Sequence, residues 1–356
     1  MQGMVLRKGV LAGLLASAAL PAQADVFCVG SEASAQAAID TARTNGQADY
    51  IKLEAGVYSL TTGLQYSTGG SSDHEILILS GGFDAGCNDR TGTTILDGQD
   101  TVRPLSLQLF DSDLVFVDHL TLIRGYATGS PYGGNMEVDL FDQSGASEAR
   151  LDYMRFVLGK ADANSGGLYV TGWGKFQLRN SLIAYNEAPS SPAGSVNLHG
   201  EAWLVSNTIA KNLDNDATEG FAYYMNGQDN GSHFWLSNNV LWGNENTGLD
   251  LYMLETGTTY DLIDNDIGAM TDTELGPASG GNISVDPLFG SCGFLCFDLP
   301  LTRASPLVDA GTDTPPGDLT FYDLFGQDRI IGPHTDIGAY ELETIFADGF
   351  EDNGIF

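Results

Sequence analysis

FQLRNSLIAYN (176–186), AWLVSNTIAKN (202–212), FWLSNNVLWGN (234–244) and YDLIDNDIGAM (260–270) align without gaps, and their alignment decides the fold. Two weaker copies precede them, VDHLTLIRG from Val117 and LDYMRFVLG from Leu151. One apolar column runs through all six: Leu122, Phe156, Ile183, Ile209, Leu241 and Ile267, at spacings of 34, 27, 26, 32 and 26 residues. Self-similarity at that period marks a repeat architecture, in which each unit buries its apolar face only against its neighbours.

Each main repeat also carries a second short strand after a glycine. The apolar pairs there are Met136/Val138, Leu168/Val170, Val196/Leu198, Ala222/Tyr224 and Leu249/Leu251. Strands of two to five residues alternate with polar turns and leave no room for a helix. Leucine-rich repeats need a convex segment more apolar than NLDNDATEG (212–220) or GNENTG (243–248). Propeller blades need about 40–45 residues and four strands. The pattern predicts an all-β chain folded as a right-handed, single-stranded parallel β-helix. About eight or nine coils at ~4.8 Å make a rod on the order of 40 Å long.

Three polar columns accompany the apolar one. Asn180, Ser206, Asn238 and Asp264 align, as do Ser181, Asn207, Asn239 and Asn265. Both suit turns between parallel strands, and stacked asparagines can bond one another from coil to coil. The third column is Asn186, Asn212 and Asn244, with Gly125 and Gly159 in the earlier copies. Asparagine and glycine sharing a column predicts a positive φ there.

Outward from the repeats, residues 25–60 read as an N-terminal cap. A strand, DVFCVG, leads into a helix with Ser31 as its N-cap and Asn45-Gly46 as its stop, and YIKLEAGVYSL follows as the first regular coil. Residues 61–75 read as a Gly/Ser/Thr-rich loop. The β-helix spans 25–342, and 283–342 is a closing region expected to cover the C-terminal end of the rod. Residues 343–356 form a short acidic tail.

Residues 1–24 have the anatomy of a secretory signal peptide: Arg7 and Lys8, an apolar run from Val10 to Leu20, and Ala22-Gln23-Ala24 before Asp25. The run is too short to span a bilayer. The chain is thus expected to be exported, to the medium or the outer cell surface. Four cysteines fit two disulfides, Cys28–Cys87 and Cys292–Cys296. With 15 basic and 47 acidic residues and a formal net charge of −32, nucleic acid and anionic membranes are disfavoured partners. The same charge suits a solvated monomer and is compatible with calcium.

The opening helix and YIKLEAGVYSL, the repeats NSLIAYN, SNTIAKN and NNVLWGN, and the closing strings VDPLF, ASPLVDAG, FGQDR and TDIGAYE together resemble secreted bacterial β-helix proteins of the choice-of-anchor Q type. The repeats are also similar to those of polymorphic outer-membrane adhesins. The resemblance covers nearly all of the mature chain. It implies a surface protein on the pectate-lyase-like superfold, and its motifs specify structure rather than chemistry.

That superfold also hosts polysaccharide lyases and glycoside hydrolases, so function must be argued from the residues themselves. Asp118, Asp152 and Asp264 fall in nearly equivalent columns, with Arg155, Arg179 and Lys160 as basic candidates. None matches a paired-carboxylate signature, and His199-Gly200-Glu201 is the nearest approach to one. His74, His119, His233 and His334 read as turn residues. Asp214 and Asp216, with Thr218 and Gly220, are the candidate calcium ligands; they do not follow the EF-hand pattern, and turn formation is the favoured reading. No other cofactor is expected, and no catalytic residue is assigned. The aromatics Tyr169, Trp173, Tyr185, Trp203, Tyr223, Trp235, Trp242 and Tyr252 fall on consecutive coils. If they face outward together they form a stacking platform for an extracellular polysaccharide. The sequence thus reads as a non-catalytic binding or adhesion protein, with a polysaccharide lyase or glycoside hydrolase as the alternative.

Overall fold

A computed structural model describes residues 24–69, 76–110, 112–129, 132–216, 220–228, 231–254, 257–291 and 297–342. Residues 1–23, which hold nearly all of the expected signal peptide, His74, Thr218, Cys292, Cys296 and residues 343–356 lie outside the described residues.

The strands wind into a parallel β-solenoid of about eight turns with three faces. Face one stacks Leu64–Ser67, Leu105–Leu109, Met136–Leu140, the first half of Leu168–Arg179, the first half of Gly194–Val205, Phe221–Gly227 and Leu249–Met253. Face two begins with Asp25–Val29, Asp49–Glu54, Ile76–Phe83, Leu114–Asp118 and Glu148–Asp152. It continues through the second halves of the two long strands to His233–Ser237 and Thr259–Ile263. Face three is an 8-stranded ladder from Gly56–Ser59 to Asp266–Ile267.

The apolar column of the sequence is the register of face three. Leu122, Phe156, Ile183, Ile209, Leu241 and Ile267 are successive cross-strand partners, and Leu96 and Tyr58 extend the row toward the N-terminus. All are buried and belong to one continuous core running from Val29 to Ile267. Helix α1 (Glu32–Ala42) starts at Ser31, whose hydroxyl accepts from the Ser34 amide. It buries Ala35, Ala38, Ile39 and Ala42. The Glu32 carboxylate accepts from the amides of Thr61, Thr62 and Gly63 and so ties the helix to the first coil. The Cys28–Cys87 disulfide forms, joining the first strand to the turn after Ile76–Phe83.

The second polar column forms a ladder inside the solenoid. The Asn207 amide and side chain both donate to Asn239 Oδ1, at 3.0 and 2.9 Å; Asn239 repeats this with Asn265, and Asn265 with Asn282. Each of these side chains also caps a strand-end carbonyl of the coil before it, Asn239 reaching Leu204 O at 2.8 Å. The first column has the positive φ expected of turns: Asn180, Ser206, Asn238 and Asp264 lie between 50° and 56°.

Five expectations are corrected. Residues 61–75 contain a strand, Leu64–Ser67, because Leu64 and Tyr66 fill the core. Two strands are 12 residues long, Leu168–Arg179 and Gly194–Val205, and run unbroken from face one onto face two. Gly200 permits this bend: its φ is +147°, and a Cβ there would meet Gly174 O at 2.0 Å. In Phe221–Gly227 the core side chains are Tyr223 and Met225, and Tyr224 points outward, since Tyr223 fills the space above Gly194. Positive φ does not explain the third polar column; it falls one residue earlier, at Arg124, Leu158, Tyr185, Lys211 and Gly243. Glycine stands at 125 and 159 because Asn135 enters from face one and takes the asparagine's place. Asn135 accepts from Gly125 N and donates to Val157 O and Asn186 Oδ1. Finally, only the start of the closing region, at Ile283 and Val285, pairs with the last coil, and the rest lies along the flank of the solenoid rather than over its end. Leu299, Leu301, Leu307, Leu324, Ile337, Ala339 and Tyr340 cover the outer side of face three.

Candidate functional site

The flank is fastened by the closing motifs. Arg329 is buried and donates to Asn180 Oδ1, Thr335 Oγ1, Asp336 O and Gly338 O, with Glu341 at 3.3 Å. Glu341 in turn accepts from Thr335 and the Asp336 amide. Burial pushes Glu341 up to about 7 even beside the guanidinium. FGQDR and TDIGAYE are therefore a clamp, and their polar groups are spent on structure.

The predicted platform divides among the faces. Tyr185 and Trp242 lie on the third-face side and pack against the closing region, Tyr185 with Phe297 at 5.9 Å. Trp203 stacks on Trp235 at 5.1 Å on face two, where the chain at Gly317 crosses Trp203 at contact distance. Trp173 stacks on His199 at 4.9 Å at the bend. Tyr223 is in the core, and burial raises its phenol well above the ordinary range. Tyr169 and Tyr252 share the outer side of face one and line one cleft.

There they join Tyr132 and Phe221, which no repeat column marks, and Tyr224, which the repeat pattern places with Ala222 in an apolar pair. The outward row of face one reads Glu137, Tyr169, Ser195, Tyr224, Tyr252 in direct register. Tyr132 stacks on Tyr169 at 4.6 Å; Phe221 stacks on Tyr252 at 4.8 Å, and Tyr224 on Tyr252 at 5.6 Å. Arg103 fixes the segment bearing Tyr132 by donating to Tyr132 O and Gly133 O and pairing with Glu137. Tyr224 was legible in principle, since moving the 221–227 strand by one residue aligns it with Tyr252. A period-2 pattern in a strand with aromatics on both sides does not choose between the two registers.

Between the two groups of rings lies a cleft of about 450 Å³. Ser190, Ser191, Ser195, Asn164, Asn197 and Gln228 supply its polar atoms, and among the described residues no charged side chain lines it. This neutrality stands out on a chain with a formal charge of −32. Rings with a few amides and hydroxyls are the usual make-up of a site for an uncharged polar ligand.

The catalytic candidates resolve differently. Asp118 and Asp152 are direct partners on adjacent coils of face two, flanked in register by Ser80 and Arg179. Asp118 is held by Ser80, by Arg90 at 2.9 Å and by His119 Nδ1 at 2.7 Å; His119 stacks on Tyr153. Asp152 accepts two bonds from Arg179, at 2.8 Å each, and one from Arg150 at 2.9 Å. Burial pushes it up to about 6 against the pull of Arg150. Arg90, His119, Tyr153 and Arg155 border a second cleft of about 580 Å³ beneath Tyr322–Gly326. Arg155 lies on face three, paired with Asp298 at 2.7 Å, and Lys160 pairs with Asp100 at 3.3 Å. Asp264 occupies the positive-φ turn column, one position beyond the Asp118/Asp152 register. The His199-Gly200-Glu201 string is the bend already described.

Asp214 accepts from the amides of Asp216 and Gly220, which is turn geometry. Among the described residues, the grouping of three ligand-type side chains within reach of one ion is Cys28, Glu54 and Cys87, whose sulfurs form the disulfide. No helix among the described residues is long and apolar enough to cross a membrane. No protein-family model matches this chain, and no curated protein matches it closely enough to count as a relative.

Proposed function

We propose that this protein is an exported, non-catalytic β-solenoid that binds polysaccharide outside the cell through the outer side of face one. The observation that carries this reading is the cleft walled by Tyr132/Tyr169 and Phe221/Tyr224/Tyr252, without a charged side chain among its described lining residues, on an otherwise acidic chain. Sugar C–H surfaces pack on ring faces, while amides and hydroxyls meet the sugar's own hydroxyls. Export is supported by the first strand beginning at Asp25, directly after the expected cleavage site, and by a disulfide suited to an oxidising compartment. The closing strings support kinship with the choice-of-anchor Q group of bacterial surface β-helix proteins. The test is affinity electrophoresis through gels containing neutral and acidic polysaccharides. Retardation by a neutral polymer, weakened about tenfold in Tyr252→Ala, is expected. No retardation by any polymer defeats the proposal.

A second reading rests on the Asp118/Asp152 pair with Arg90 and His119 beside the second cleft, since glycoside hydrolases work with paired carboxylates. Against it, arginine and serine partners already occupy both carboxylates. Incubation with the same polymers, followed for new reducing or unsaturated ends, decides. Turnover abolished by Asp118→Asn overturns the non-catalytic assignment.

A further inference from the structure

The outward row of face one has a gap. Rings stand at Tyr169, Tyr224 and Tyr252, but the residue in register between Tyr169 and Tyr224 is Ser195. Ser195 lines the cleft together with Tyr169 and Tyr224; it is largely buried, and its hydroxyl is turned to Ser165 Oγ at 2.7 Å, so it forms part of the floor between the two rings. On one side the gap is backed by Tyr132, which comes from the preceding coil and stacks on Tyr169. On the other it is backed by Tyr252, stacked on Tyr224. Two strand steps of about 4.8 Å place the backbones of Tyr169 and Tyr224 about 10 Å apart, with their side chains standing out from the same face. A ring inserted midway would lie about 5 Å from each, within the range of favourable ring stacking. That matches the 4.6 and 5.6 Å spacings of the stacked rings on either side.

We infer that the Ser195 gap is a subsite for one neutral pyranose ring, inserted edge-on between Tyr169 and Tyr224, and that it selects sugars whose ring hydroxyls are all equatorial. Such a ring presents only C–H groups above and below its mean plane, so both of its faces can lie on aromatic rings. Its hydroxyls radiate around the rim, where Asn197 and Gln228 border the same cleft. A single axial hydroxyl would be pressed against one tyrosine and lose its bond to water without replacement. Gluco- and xylo-configured units therefore fit, and manno- and galacto-configured units do not. A flat aromatic ligand would leave the amides at the rim unmatched. The absence of a charged side chain among the described lining residues disfavours uronates. The inference rests on the glycan-binding proposal and goes further in naming the sugar and the residue that admits it.

Isothermal titration of the mature chain with gluco-, xylo-, manno- and galacto-configured neutral oligosaccharides of equal length tests it. The first two should bind at least about tenfold tighter than the last two, the equivalent of one lost or mismatched contact. Ser195→Tyr should abolish binding by continuing the ring stack through the gap, with an unchanged far-UV spectrum. Should that variant fail to fold, Tyr169→Ala and Tyr224→Ala, each removing one wall, should each weaken binding about tenfold or more. Equal or tighter binding of the manno or galacto series overturns the sandwich while leaving glycan binding standing. Unchanged binding in Ser195→Tyr moves the sugar out of the gap and onto the flat of the ring stack. Absence of binding across all four series removes both proposals.

Discussion

Asn239→Ala tests whether the interior asparagine ladder, rather than apolar packing alone, holds the coils in register. The Asn239 side chain is fully buried and makes four bonds. It accepts from the Asn207 amide and from Asn207 Nδ2, and donates to Leu204 O and Asn265 Oδ1. Asn265 Oδ1 keeps a second donor, the Asn239 backbone amide, at 2.9 Å. Truncation therefore orphans three buried groups: the Asn207 amide, one Asn207 side-chain N–H and the Leu204 carbonyl. Each orphan costs about 1–3 kcal/mol, so the low end of the range already sums to about 3 kcal/mol. Urea unfolding followed by tryptophan fluorescence gives the loss, with Asn215→Ala, at an exposed turn, as the control expected within about 0.5 kcal/mol. Because each coil of a solenoid touches only its neighbours, amide exchange should rise chiefly from the coil of Asn207 to that of Asn265. A loss under about 1 kcal/mol, or one no greater than the control's, refutes the ladder as a source of stability.

Burial pushes Asp266 up to about 6, and its Oδ2 is buried with no hydrogen-bond partner. A folded-state value raised above the unfolded one gives stability that is whole below about pH 4 and is lost as pH rises through about 6. Asp152 and Glu341, raised to about 6 and about 7, act in the same direction. Asp266→Asn should flatten the decline in melting temperature between about pH 4 and 7; an unchanged slope rejects the assignment. The Cys28–Cys87 bond closes a separation of 59 residues, so Cys28→Ser with Cys87→Ser should destabilise the N-terminal coils by about 4 kcal/mol in urea titrations. Arg329→Ala leaves Glu341 buried without its counter-ion, a loss of about 3–5 kcal/mol. It should free the closing region for proteolysis while the coils stay resistant, and equal resistance of both parts counts against the clamp.

The apolar column was legible because every coil must put an aliphatic or aromatic side chain at the same place in a shared core. Spacings of 26 to 34 residues reveal that place whatever the turns between do. The interior asparagines were legible for a related reason: a strand-end carbonyl recurs at each coil and needs the same amide. The N-cap Ser31 and the Cys28–Cys87 pairing were also readable, since both depend on local or near-terminal chemistry. The site was only partly so. Tyr169 and Tyr252 were named, but Trp203, Tyr185 and Trp242 were grouped with them although they belong to other faces.

Sequence by itself thus determined the solenoid, its period and its core, because burial against a repeated neighbour leaves a repeated mark on the chain. Tertiary structure alone decided which outward residues meet. A one-residue change of register carries a side chain from core to surface, as it does for Tyr223 and Tyr224. Glycine-permitted bends decide which face a ring joins, and the closing region covers one flank while leaving another open. Those choices depend on contacts between segments far apart in the chain, such as Asn180 with Arg329, which no periodicity records.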